Sequence, residues 1–82
     1  MVSKKGRDSL EGQAVFTFSS THHALKAEKV LQAAQLPATI IPVPRRISSL
    51  CGLAIKLDSA LHPRAEEILL GKGVKVEGVH FF

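Results

Sequence analysis

From Ala14 to Phe81 the apolar residues switch between two spacings, and the order of those spacings leaves few folds open. Ala14, Phe16 and Phe18 alternate with Val15 and Thr17, which reads as a first strand with one strongly apolar face. Ser19, Ser20 and Thr21 then offer N-cap hydroxyls, and Ala24, Ala27, Leu31 and Ala34 recur at helical spacing. Pro37 breaks that helix, and Ala38-Thr39-Ile40-Ile41 is short and rich in β-branched residues, so a second strand is expected to end near Val43. Leu53, Ile55 and Leu57 alternate with Ala54 and Lys56 in a third strand that stops at Asp58. Ser59 or His62 is placed to cap a second helix, with Pro63 in its first turn, Leu61, Ala65, Ile68 and Leu69 as its buried stripe and Gly71 at its end. A last strand is expected from Val74 to Phe81. Its parity changes between Val76 and Val79, which points to a bulge at Gly78.

The order strand, helix, strand, strand, helix, strand predicts an α+β, ferredoxin-like βαββαβ fold, a four-stranded antiparallel sheet with two helices on one face. In that arrangement the first and second strands run the same way with the third between them. Three connections then share one end of the sheet: the turn at Ser19 to His23, the long loop ending at Cys51, and Gly71-Lys72-Gly73.

With 82 residues there is room for one core, so residues 14–82 read as a single domain and residues 1–13 as a disordered basic tail. Lys4, Lys5 and Arg7 in that tail supply part of the net charge of +4; beyond it eight basic residues face five acidic ones. That mild bias suits a small anion as readily as nucleic acid, and no basic stripe with interleaved aromatics is present, so nucleic acid is not the expected partner. The opening residues lack the apolar stretch of a secretory signal, and no run approaches the roughly twenty apolar residues of a membrane span. One cysteine can form neither an internal disulfide nor a multi-cysteine zinc site, and a reducing cytoplasm is the expected compartment.

The long loop concentrates the chemistry. Pro42-Val43-Pro44-Arg45-Arg46-Ile47-Ser48-Ser49-Leu50-Cys51-Gly52 holds two stiffening prolines, two guanidinium groups, two hydroxyls and the only thiol. The topology brings Cys51, at the head of a central strand, near the N-terminus of the first helix, where unpaired amides favour an anion. Such surroundings lower a cysteine pKa from about 8.5 into the range where the nucleophilic thiolate is populated at neutral pH. Arg45, Ser48, Ser49 and Gly52 flank the thiol, and Thr21, His22 and His23 come from the facing helical turn. Adjacent helical residues point about 100° apart, so at most one of His22 and His23 faces the site. Against this stands the plainer possibility that Cys51 is a small buried hydrophobe opening a core strand. His62 and His80 have no partner motif and read as structural or exposed. No Ser-His-Asp spacing, glycine-rich phosphate loop or carboxylate pair is present.

The runs Ser19-Ser20-Thr21-His22-His23-Ala24-Leu25-Lys26-Ala27-Glu28, Ile41-Pro42-Val43-Pro44-Arg45 and Ile47-Ser48-Ser49-Leu50-Cys51-Gly52 resemble the selenium/sulfur carrier protein-like family of small, mostly bacterial domains. The resemblance spans Ala14 to Phe82, and its most specific part is Pro-Arg-x-Ile-Ser-Ser-x-Cys-Gly at Pro44 to Gly52. In some relatives a similar domain accompanies a sulfurtransferase-like module. The resemblance therefore implies a carrier in which Cys51 bears sulfur or selenium as a persulfide or selenosulfide, with donor and acceptor proteins as partners.

A second reading keeps the same end of the sheet as a non-enzymatic module that binds a small anion or a protein, with Cys51 merely packed. A metal held by Cys51 and His22 or His23 would have at most three ligands, so no metal and no cofactor are expected. Carriage or binding fits better than stand-alone catalysis, because a single thiol without an acid–base triad exchanges groups but shows no substrate pocket. Unpaired edge strands in so small a sheet also invite a homodimer.

Overall fold

A computed structural model describes residues 12–47 and 52–82 of the chain. Among them are four strands, two α-helices and one 3-10 turn: β1 (Gln13–Thr17), α1 (Thr21–Ala33), β2 (Thr39–Pro42), β3 (Leu53–Asp58), the 3-10 turn Ser59–Leu61, α2 (His62–Gly71) and β4 (Gly78–Phe81). The strands form one antiparallel sheet in the order β2-β3-β1-β4, the α+β arrangement of the ferredoxin-like fold. Both helices pack on one face. Ala24, Ala27 and Leu31 of α1 and Ala65 and Leu69 of α2 share a core with Ala14, Phe16 and Phe18 of the first strand region and Ile55 and Leu57 of β3. The small alanines let α1 approach the sheet closely while Leu31 fills the space beneath it.

Both helices stop by the same device. After α1 the Gln35 N–H donates to the Gln32 carbonyl and the Leu36 N–H to the Leu31 carbonyl, with Gln35 at φ 65°. After α2 the Gly73 N–H donates to Leu70 and the Val74 N–H to Leu69, with Gly73 at φ 76°. These are Schellman closures, in which one residue in the left-handed region turns the chain back onto the last carbonyls. Gly71 ends the second helix as expected, and the left-handed residue of the closure is Gly73, two positions later.

Two expectations change. Neither Ser59 nor His62 caps α2, whose N-cap position is Leu61 with no side-chain capping bond; instead the Asp58 carboxylate accepts the Ala60 N–H at 2.8 Å and caps the 3-10 turn that leads into the helix. The last strand is Gly78–Phe81 and does not reach back to Val74. Val74 is committed to the α2 closure and is buried in the helix-side core, where Val76 and Val79 also pack. The change of parity therefore marks the entry to a strand, and the Glu77 N–H bonds to the Thr17 carbonyl at 2.7 Å as the chain joins β1.

The first strand has two apolar faces instead of one. Ala14, Phe16 and Phe18 point to the helices, while Val15, also fully buried, points the other way. Thr17 lies beside it across the strand, buried, its hydroxyl donating to the Gly78 carbonyl at 3.4 Å. The position of β1 between β3 and β4 explains the burial on the helix side; what covers the other face is part of the site.

Candidate functional site

The register decides which loops meet. Thr17 pairs with Ala54 on one side and with Gly78 on the other, and Ala54 pairs with Ile41. The C-terminal end of β1, the start of β3, the end of β2 and the start of β4 therefore lie at one edge of the sheet. Two residues beyond the Thr17 and Ala54 pair stand Ser19, at the entry to α1, and Gly52, at the exit of the long loop. Gly52 extends the ladder, accepting the Val43 N–H at 3.1 Å, and adopts φ 79°, a conformation that other residues rarely take.

On the α1 side, Ser20 caps the helix. Its Oγ accepts the His23 N–H at 3.3 Å, and its carbonyl accepts the Ala24 N–H at 3.2 Å. The amides of Thr21 and His22 precede these, and they are the groups an anion at this terminus would meet. Thr21 and His22 are exposed, and His23 is half-buried. The two imidazoles meet edge to face, 6.1 Å between centroids. His23 Nδ1 is out of solvent with no hydrogen-bond partner among the described residues, so His23 is the inward-facing member of the pair.

On the loop side, Arg45 and Arg46 occupy a tight turn in which the Ile47 N–H donates to the Pro44 carbonyl at 2.9 Å. Both arginines are exposed, and Arg46 lies over the ring of Phe82 with Cζ 4.7 Å from its centroid. Ser48, Ser49 and Cys51 lie outside the described residues. Of the other expected site residues, Thr21, His22, His23 and Gly52 stand at the shared edge, while the turn bearing Arg45 leads out onto the sheet face.

A family model described as Putative Se/S carrier protein-like matches residues 13–80. The chain belongs to that family. No curated protein and no solved structure matches the chain significantly.

In this member of the Se/S carrier-like family, the match covers both helices, the long loop and nearly all of the sheet. Among the described residues no three His, Cys, Asp or Glu side chains come together as a metal site, and no helix is long and apolar enough to cross a membrane. His62 has a local role: its Nε2 lies 3.2 Å from Glu66 Oε1 one turn along α2, and its ring meets Phe81 edge-on at 4.9 Å.

Sequence reasoning missed a second apolar cluster on the face away from the helices. Val15, Ala54 and Ile47 form it, with Ile41, Val43 and Phe82 packed around them. Its signal was an isoleucine between the arginine pair and the serine pair of the loop, and a valine on the second face of β1.

Proposed function

We propose that this chain is a sulfur or selenium carrier in which Cys51 bears the transferred atom. The observation that carries this reading is the register, which sets Gly52, the neighbour of Cys51, at the same edge of the sheet as the capped N-terminus of α1. Membership of the Se/S carrier-like family supports it independently.

The chemistry asked of the site is exchange without net oxidation. The Cys51 thiolate attacks the outer sulfur of a donor persulfide, the donor's sulfur–sulfur bond breaks, and the donor cysteine leaves as a thiolate. The new Cys51 persulfide passes its outer sulfur to an acceptor by the same step in reverse. A selenosulfide follows the same path. The Thr21 and His22 amides supply positive potential for the terminal anion, and His23, whose Nδ1 is turned inward, is the better placed histidine for the accompanying proton. Donor and acceptor are proteins, and a reducing compartment such as the cytoplasm suits a carrier that must begin as a free thiol.

Incubating the reduced protein with a cysteine desulfurase and cysteine is expected to add one sulfur atom by mass spectrometry, and Cys51→Ser to abolish the addition. No adduct, or one that survives Cys51→Ser, overturns the carrier reading. The exposed Arg45 turn favours a second reading, a small-anion module with a packed Cys51. In that case phosphate or sulfate binding persists in Cys51→Ala and weakens in Arg45→Ala.

A further inference from the structure

A sheet with both helices on one side is expected to leave its other side to solvent or to a partner. Here the chain covers part of that side itself. Ile47, only 8% exposed, sits in the cluster formed with Val15 and Ala54, both fully buried. One residue earlier, Arg46 stacks on Phe82. Phe82 is a fixed platform: its N–H donates to the Gln13 carbonyl at 3.1 Å and its carbonyl accepts the Gly12 N–H at 3.0 Å, so its backbone is tied to the start of β1.

We propose that Ile47 and the Arg46–Phe82 stack form an anchor that holds the first half of the long loop against the sheet face opposite the helices. The driving forces are separate. Ile47 leaves water for an apolar seat floored by Val15 and Ala54 and bordered by Ile41, and the guanidinium is drawn to the face of the ring. The seat spans three strands, since Ile41, Ala54 and Val15 belong to β2, β3 and β1. The anchor has two consequences. It withdraws the middle of this face from partners, and it starts the following residues from a fixed position, which makes Arg46, Ile47 and Phe82 positioning residues for what the loop presents. Its bearing on Cys51 rests on the carrier reading; the anchor itself does not.

The test is limited trypsin digestion of the folded full chain, following cleavage after Arg45 and Arg46 by mass spectrometry. Cleavage that waits on release of the arm tracks the population of the released state. Ile47→Ala keeps both cleavage sites and is expected to raise the rate at least about tenfold, since it empties the buried seat. Phe82→Leu keeps the apolar contact and removes the ring face, for an expected rise of about two- to fivefold. The urea midpoint of each variant separates release of the arm from global unfolding. Should Ile47→Ala fail to fold, Phe82→Leu decides alone. Wild-type cleavage rates in a folded Phe82→Leu protein, or a rise fully explained by a lowered urea midpoint, overturn the anchor. The alkylation rate of Cys51 by iodoacetamide, expected to change at least about threefold in the same variants, reads the positioning role. A released arm with persulfide loading still intact leaves both proposals standing. Loss of loading in the wild type with cleavage rates that still respond sinks the carrier reading alone.

Discussion

Gln35 occupies the left-handed region at φ 65°, where a side chain costs roughly 1–2 kcal/mol and glycine costs little. The α1 closure requires that conformation, so Gln35→Gly is expected to stabilise the protein by about 0.5–1 kcal/mol after the added freedom of the unfolded chain is counted. Urea denaturation reads the gain. Ser20 works at the other end of the same helix, and Ser20→Ala removes the acceptor of the His23 N–H. Its expected cost is about 1 kcal/mol, seen as a lower urea midpoint with an unchanged slope. Both residues sit in the polar punctuation of the sequence. Ser20 was readable as one of three hydroxyls before the helix, but nothing in the local pattern marked Gln35 as the reversing residue, because the closure depends on where Leu36 and Leu31 can pack.

At the scale of elements, α1 illustrates how little of a helix's stability is its own. Of its 13 residues, Ala24, Ala27 and Leu31 are fully buried, so it is held by a narrow stripe. Leu31→Ala is expected to cost about 2–5 kcal/mol, since the neighbouring alanines cannot close over the gap. A thermal melt of this variant that matches the wild type would mean that the stripe is not the contact holding α1 to the sheet. The second helix is fixed differently, by the Asp58 cap that starts its 3-10 approach and by the Gly73 closure behind it. β4 is the shortest commitment of the chain to the sheet, matched by β2 at four residues, and these two are the edges. We propose that a homodimer, if formed, pairs through such an edge.

For the molecule as a whole, β1 is the axis. It bonds to β3 on one side and to β4 on the other, buries residues on both faces, and receives the backbone of Gly12 and Phe82 at its start. We propose that the cooperative unit starts at this strand, so that a chain beginning at Gly12 has the same unfolding free energy from urea denaturation as the 82-residue chain within about 0.5 kcal/mol. A clear loss of stability would move the boundary of the folding unit into the first eleven residues.

The element order, both helical stripes and the sharing of one sheet edge by three connections follow from the sequence, because each rests on short-range periodicity and on the few ways a strand–helix–strand–strand–helix–strand chain can close. Thr21, His22, His23 and Gly52 fall at that edge for the same reason. The true start of β4 and the second apolar face of β1 were settled only in three dimensions. Each depends on residues far apart in the chain competing for one place, as Ile47 does when it covers Val15 and Ala54. A one-dimensional pattern records which residues avoid water; the packed chain decides which surface they avoid it on.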